Sequence, residues 1–349
     1  MFSIFALSGG TLQLEAIIEP KSLVWEERYS DAGRMQAVFV NTADALATIT
    51  CGKFAALTGS TTVMYIYGIK ARGDELWAYG YEAKALLQKQ GMLHDAGSAG
   101  TQNVKQAIID MMEDYNSYTF WYDGAAENYL VPELGSENLD ALEYSDVYAF
   151  IRQACKLTKA GFRAKFLENL GKLQLEVWKG RDRSRLLEFS EYKGNLGEVE
   201  YTKDNQSRVT EVVAVGMDSI ETEGVDEEVY AHAINMSGET QRTRTILDLR
   251  EMFPRTSDMT RAEYEAALQK RAQMSLISRW ERDMLTIEDA DITTNAYNLQ
   301  LGDEVSVVSA QYNATAVLRV VCMTRTIESG VETVSVEFGS TAVDDVTLE

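Results

Sequence analysis

Groups that coordinate metals, cross-link chains or act as catalytic bases are scarce in this sequence. Among 349 residues there are two histidines, His94 and His232, and three cysteines, Cys51, Cys155 and Cys322. The cysteines lie far apart and form no C-x-x-C pair, which excludes a zinc ribbon and a thioredoxin-like motif. They read as buried free thiols of a reducing compartment. The histidines are distant from each other, so no H-E-x-x-H exists, and a lone histidine lacks the partner that would orient it as a base. His94 falls in a Gly/Ala/Asp-rich stretch expected to be an exposed loop. His232 alternates with Tyr230 and Ile234, as on a strand face. No G-x-G-x-x-G, P-loop or G-x-S-x-G occurs. Three prolines and 24 glycines exclude a collagenous or low-complexity chain. No run of 18 apolar residues exists to cross a membrane as a helix. Residues Met1–Gly10 carry no basic leader and no long apolar core, so no signal peptide is expected.

Bases are outnumbered. There are 33 Lys and Arg against 54 Asp and Glu, a net charge of −21. Such a chain repels polyanions and anionic bilayers, so a nucleic-acid reader and a membrane-surface binder are both disfavoured. Carboxylates are plentiful, and a glycosidase pair is not excluded by counting. It needs a separation of about 5–10 Å that spacing along a chain does not give. Glu288–Asp291 has the look of a calcium-loop fragment but lacks the spacing and central glycine of an EF-hand, and is read as a surface turn. The tryptophans, Trp25, Trp77, Trp121, Trp178 and Trp280, are scattered and suit core or interface anchoring. Seventeen tyrosines suit either a subunit interface or a glycan-binding surface.

What the chain does contain is 45% hydrophobic residues in patterned runs, enough for a sizeable core. Its length suits roughly two domains. Period-2 alternation marks strands at Leu12–Ile18, Leu23–Tyr29, Met35–Val40, Val63–Ile69 and Glu75–Tyr81, with Gly/Asp turns between them. Short strands with frequent turns suggest a small barrel or sandwich. Val104, Ile108, Met111, Met112 and Tyr115 then fall at helical spacing. Ser145 reads as the N-cap of a second helix with Val147, Phe150, Ile151 and Ala154 on one face and Gly161 as its stop. Alternation returns at Lys172–Gly180 and again around Val199, Tyr201 and Val209–Val215. Thr260-Arg-Ala-Glu263 fits a capping box before a long helix with Tyr264, Leu268, Ala272, Leu276 and Trp280 along one face. Strand-like Glu304–Ser309 and Ala314–Thr326 follow. A hairpin turn at Glu328–Gly330 leads into Val331–Phe338.

Charge is unevenly placed. Residues 188–239 hold 13 acids against Lys193, Lys203 and Arg208, a local −10, whereas residues 152–185 hold 10 bases against Glu168, Glu176 and Asp182, a local +7. Opposite patches on one chain suit head-to-tail contact between subunits, and they also suit ordinary solvated surfaces.

A family texture runs from about Thr11 to Gly339. Leu187-Glu-Phe-Ser190, Gly194-Asn-Leu196, an acidic strand and Val209–Gly216 follow one another in the C-terminal half. Leu301-Gly-Asp-Glu-Val305 and a closing Glu337-Phe-Gly339 complete the pattern, and Leu76–Tyr81 extends it into the N-terminal half. In this order the sequence resembles the siphovirus Gp37-like tail proteins, central tail-hub (baseplate hub) proteins of tailed bacteriophages. The resemblance implies a mainly β chain with an α/β insert (α+β), built from two small β-barrel domains of tail-hub type plus a helix-containing domain. The corresponding divisions are 1–98 for the first barrel, 99–186 plus about 240–290 for the helical part, and 187–239 plus about 291–345 for the second barrel.

The resemblance further implies a homotrimeric ring in the virion tail, assembled in the bacterial host cytoplasm. It joins a sixfold tail tube or distal tail ring to a threefold spike or fibre, contacts the tape measure protein, and lets DNA pass in transit. No cofactor, no catalysis and no stable membrane binding are implied, and no hydrolase or host-binding domain is expected after residue 349. The interface residues expected from the charge pattern are Arg181, Arg183 and Arg185 against Asp226, Glu227 and Glu228. Two other readings stay open: a tail-tip carbohydrate- or receptor-binding module with an exposed aromatic patch, and an acidic glycan hydrolase with two facing carboxylates.

Overall fold

A computed structural model describes residues 1–89, 101–115, 129–139, 146–194, 198–203, 209–220, 226–236, 240–257, 259–280, 283–288, 299–310, 314–328 and 330–339. His94, Trp121 and the Asp289–Asp291 part of the acidic turn lie outside these residues, as do Ser145 and the middle of the Glu328–Gly330 turn.

Seven strands open the chain: β1 (Phe2–Ser8), β2 (Thr11–Ile18), β3 (Ser22–Arg28), β4 (Arg34–Val40), β5 (Phe54–Leu57), β6 (Val63–Arg72) and β7 (Glu75–Glu82). The short helix α1 (Ala43–Thr48) interrupts them, and a 3-10 segment, Ala83–Lys89, follows β7. The middle holds β8 (Thr101–Asn103), α2 (Val104–Tyr115), β9 (Tyr129–Leu130), β10 (Ser136–Asn138), α3 (Val147–Leu157), β11 (Gly161–Leu167) and β12 (Lys172–Trp178). The remainder holds β13 (Glu188–Ser190), β14 (Glu198–Lys203), β15 (Glu211–Asp218), β16 (Glu227–Ile234), β17 (Arg244–Asp248), α4 (Arg261–Trp280), β18 (Asp283–Glu288), β19 (Glu304–Ser309), β20 (Ala314–Glu328) and β21 (Val331–Gly339). The chain is mainly β, as the alternating apolar runs require.

The two ends of the sequence meet in one 11-stranded sheet, ordered β13-β19-β20-β3-β4-β7-β6-β5-β1-β2, with β21 against β20. Fifteen-residue β20 is the joint. Its first half pairs with β19 and its second half lies between β3 and β21. Two small β-barrel domains of tail-hub type are expected from the sequence; no closed barrel is found among the described residues. The strand order runs from β13 to β2 without returning on itself. Local alternation specifies strands but not their partners, and the β3–β20 pairing spans almost the whole chain.

Inside the sheet, Phe2, Leu23, Trp25, Met35, Phe39, Ile66 and Leu76 form one buried core. A second gathers Val104, Ile108, Met112, Phe150, Ile151 and Phe162 from α2, α3 and β11. Phe189, Val307, Val320 and Phe338 build a third. Helix α4 buries Tyr264, Leu268, Ala272 and Leu276 against Val212, Ala214, Val229 and Ala231 of β15 and β16, so this helix shares its core with that sheet.

Tyr29 ties three of these parts together. It is almost fully buried. Its hydroxyl donates to the Trp178 carbonyl (3.0 Å), lies 3.2 Å from that of Lys159, and accepts from the Gly180 N–H (3.1 Å). Its backbone N–H donates to Val321 O (2.9 Å), and its carbonyl accepts from Phe162 N–H (3.0 Å). The ring needs room on both sides: a Cβ at Gly161 would come within 2.2 Å of it, and one at Gly302 within 2.4 Å. Gly161, expected as a helix stop, therefore opens β11 beside Tyr29. Helix α3 ends earlier, at the Thr158 C-cap, with Lys159 in the left-handed region (φ 55°), and it starts from Asp146, which accepts from Ala149 N–H.

Lys84 forms a second joint. Wholly buried, it donates to the carbonyls of Arg28 (2.7 Å) and Phe162 (2.9 Å) and pairs with Glu82 (2.8 Å), which also accepts from Gly33 N–H (3.0 Å). The ammonium's three donors are thereby satisfied. Burial pushes the Glu82 carboxyl above its ordinary range, against the pull of Lys84.

Candidate subunit interface

The loop after β12 is held by the Leu-Gly-Asp turn at its base. Gly302 takes a positive φ of 92°, which brings Asp303 under the loop. Asp303 accepts from the N–H groups of Gln300 (3.2 Å) and Arg181 (3.3 Å) and from the Arg183 guanidinium (3.3 Å). Arg183 N–H donates to Glu304 O, and Glu304 N–H returns to Arg181 O. So anchored, the loop turns the side chains of Arg181 and Arg185 to solvent. Two apolar side chains stand beyond them, Leu186 at 82% and Tyr192 at 85% exposure.

The acidic partner run lies on the β16–β15–β17 sheet, which α4 covers on one face. The capping box closes as its sequence predicts: Thr260 N–H donates to Glu263 Oε2 (2.8 Å), and Glu263 N–H to Thr260 Oγ1 (3.3 Å). Alternation along β16 is strict. Val229, Ala231 and Ala233 are buried under the helix, while Tyr230, His232 and Ile234 face away. In register with them stand Val213 and Val215 of β15 and Ile246 of β17. Tyr230, Ile234 and Ile246 are 53%, 52% and 68% exposed and flank the buried Val213 and Val215, so this face is apolar and, among the described residues, no helix covers it.

Both ends of that sheet are charged. At one end Glu211 receives Arg244 (2.6 Å), Arg242 (2.8 Å) and His232 (2.9 Å). The hydrogen bonds from Arg244 and Arg242 hold its carboxyl down to about 2. At the other end burial alone would raise Asp218, but Arg255 (2.6 Å), the Ile220 N–H and Arg261 (3.1 Å) hold it at about 2. Arg261 also reaches Glu227 (3.1 Å), Arg250 bridges Glu228 (2.7 Å) and Asp248 (2.5 Å), and Ser219 donates to Asp226 (2.8 Å).

The residues expected at the interface thus divide. Arg181 and Arg185 are presented outward; Arg183 is engaged by Asp303. Glu227 and Glu228 each hold an arginine of their own chain, and Asp226 holds a serine. Sequence reasoning missed the apolar residues between the charges, although the Tyr230/Ile234 alternation signalled them. It also missed an aromatic row. Trp77, Tyr79 and Tyr81 alternate on one face of β7, with Tyr81 packed against the core of α2 and α3. Tyr67, 55% exposed, stacks on Tyr81 at 5.4 Å, and Lys70 and Lys89 sit over Trp77 and Tyr65. Cys155 and Cys322 are buried thiols as expected, but Cys51 is exposed, because it lies in the turn between α1 and β5. Among the described residues no group of three or more His, Cys, Asp or Glu is arranged to hold a metal, and no helix is long and apolar enough to cross a membrane.

The fold has solved counterparts. The tail protein from Neisseria meningitidis MC58 superposes with a TM-score of 0.59 at 13% identity, over 97% of this chain and 96% of that one. The 43 kDa tail protein of prophage MuSo2 from Shewanella oneidensis gives 0.59 at 9% identity over 99% of both chains. Prophage tail protein gp18 from Listeria monocytogenes EGD-e gives 0.54 at 9% identity, over 98% and 95%. At these identities the likeness establishes a shared fold from end to end. No curated protein matches the sequence. The model of the Siphovirus ReqiPepy6 Gp37-like proteins matches residues 133–340, more than half of the chain. It spans the anchored loop, the α4-covered sheet and the Leu-Gly-Asp and Phe-Gly segments alike, and the chain belongs to the Siphovirus ReqiPepy6 Gp37-like family.

Proposed function

We propose that this chain is a structural component of a phage tail, the hub at which the tail tube meets the tail tip. The observation that carries the reading is family membership together with a fold shared over nearly the full length of solved tail proteins. In this reading three copies close a ring. Two β-rich parts in each subunit face a sixfold tail tube or distal tail protein, and the other side holds a threefold spike or fibre, with the tape measure protein and the DNA passing through. The division into 1–98, 99–186 plus about 240–290, and 187–239 plus about 291–345 belongs to the same proposal. The net charge of −21 suits a channel wall that does not retain DNA. The role is structural rather than enzymatic, and the site of action is the virion tail after assembly in the host cytoplasm. Gold-labelled antibody against the chain, applied to intact virions, is expected at the distal end of the tail; purified virions without the chain would refute the reading.

The aromatic row on β7 favours a second reading, a tail-tip module that binds carbohydrate. Partly exposed rings beside lysines suit stacking on sugar faces. Binding of soluble host glycans by the isolated chain, lost in Trp77→Ala, would move the assignment there.

A further inference from the structure

We propose that the projection formed by Leu186, in the loop after β12, and Tyr192, in the turn after β13, docks on the face of the β16–β15–β17 sheet opposite α4 in a second copy of this chain. The inference rests on the ring reading above and names the contact that would close it. Two observations on separate elements fit each other.

The first is the projection. Leu186 and Tyr192 are exposed at 82% and 85%, values unusual for large apolar side chains; Asp303 fixes the loop that carries Leu186, and past β13 Glu191, next to Tyr192, accepts from Ser309 Oγ (2.6 Å) and Ala310 N–H (2.8 Å), so neither is free to fold back. Lys179, Arg181 and Arg185 of the loop that carries Leu186 are exposed. Tyrosine, leucine and arginine on a rigid projection are the ingredients of an interface centre with a polar rim.

The second is the sheet. Tyr230, Ile234 and Ile246 present an apolar strip on the face opposite α4, with Val213 and Val215 between them. One end of this strip is acidic. On the register of Tyr230 and Val215 stand Glu228 and Asp248, which share the single Arg250, two to one; Asp218 and Glu227 belong to the α4 side of the sheet. The internal ion pairs therefore leave negative charge at this end, and the basic loop supplies the opposite sign.

A second copy is the occupant because one chain carries both halves of the complementary pair. The halves differ, so the contact is heterologous and uses one projection and one face per subunit, as a closed ring requires. Apolar contact at the centre supplies most of the stabilisation, and the arginines set orientation and salt dependence.

The experiment uses sedimentation velocity on the full chain and on two variants whose changes are all at exposed positions. The projection variant carries Leu186→Asp and Tyr192→Asp; the face variant carries Ile234→Asp and Ile246→Asp. Circular dichroism confirms that each is folded. The native chain is expected to form a ring, and each variant to lose it and sediment at 39.0 kDa. An equimolar mixture of the two is expected to form a 1:1 dimer and nothing larger, because one intact projection and one intact face remain between them. Arg181→Glu with Arg185→Glu is expected to weaken the native ring, more so at low salt. Variants that assemble like the native chain, or a mixture that stays monomeric, overturn the contact while leaving the ring reading standing. A native chain that is monomeric at every concentration also overturns the contact, and the antibody label on virions then decides the hub reading separately.

Discussion

Replacing Lys84 by methionine tests whether the joint between the first β segment and the helical part depends on one buried cation. Methionine keeps most of the volume but removes the hydrogen bonds to Arg28 O and Phe162 O and leaves Glu82 buried with the Gly33 N–H as its remaining partner. Removing one partner of a buried pair costs about 3–5 kcal/mol. Urea denaturation followed by tryptophan fluorescence reads this loss, since Trp25 and Trp178 lie in the parts being joined. The carboxyl of Glu82 is already raised by burial, so without Lys84 it folds more readily when protonated. The loss is therefore largest at neutral pH and shrinks as the pH falls toward the ordinary carboxylate range. The double variant Lys84→Met with Glu82→Gln, which removes the stranded charge, is expected to recover much of the loss. A single variant that loses less than about 1 kcal/mol, or a double variant no better than the single, would refute the reasoning.

Gly302→Ala places a Cβ 2.4 Å from the Tyr29 ring at a φ of +92°. Overpacking and left-handed strain together are expected to cost about 2–5 kcal/mol in the same urea titration. A thiol reagent is expected to label Cys51 alone in the native chain, because Cys155 and Cys322 are buried and pushed up to about 12; mass spectrometry before and after unfolding counts the labels. Glu211 and Asp218 are held at about 2, below their ordinary 4.5 and 3.8. Their stabilising contribution is present above about pH 4.5 and lost as the pH falls toward 2, so the melting temperature is expected to drop over that window and to drop less in Asp218→Asn.

Much of the local structure follows from residue order. The alternation at Leu12–Ile18 and Glu75–Tyr81 becomes β2 and β7, and the Thr260–Glu263 box caps α4 with both reciprocal bonds formed. These features depend on neighbours two to four residues apart. The pairing of β3 with β20 does not, since nothing in either strand's alternation names its partner, and no closed barrel is found there among the described residues. Gly161 illustrates the same limit: its role is set by Tyr29, more than a hundred residues away, and not by the helix before it. Local charge counts located the Arg181–Arg185 loop and the Asp226–Glu228 run but did not show that Asp303, Arg261 and Arg250 already engage part of them. An apolar pattern of Tyr230, Ile234 and Ile246 was present in the strands, yet reading it as an open face required knowing which side α4 covers.

The central claim is a tail hub that closes on itself, and light scattering of the full chain at two concentrations, with negative-stain images of the same sample, tests it most directly. The account predicts a particle of three times 39.0 kDa with a threefold ring in projection, unchanged between the concentrations. A chain that stays at 39.0 kDa at both concentrations, and also when mixed with the distal tail protein of its own phage, would contradict it.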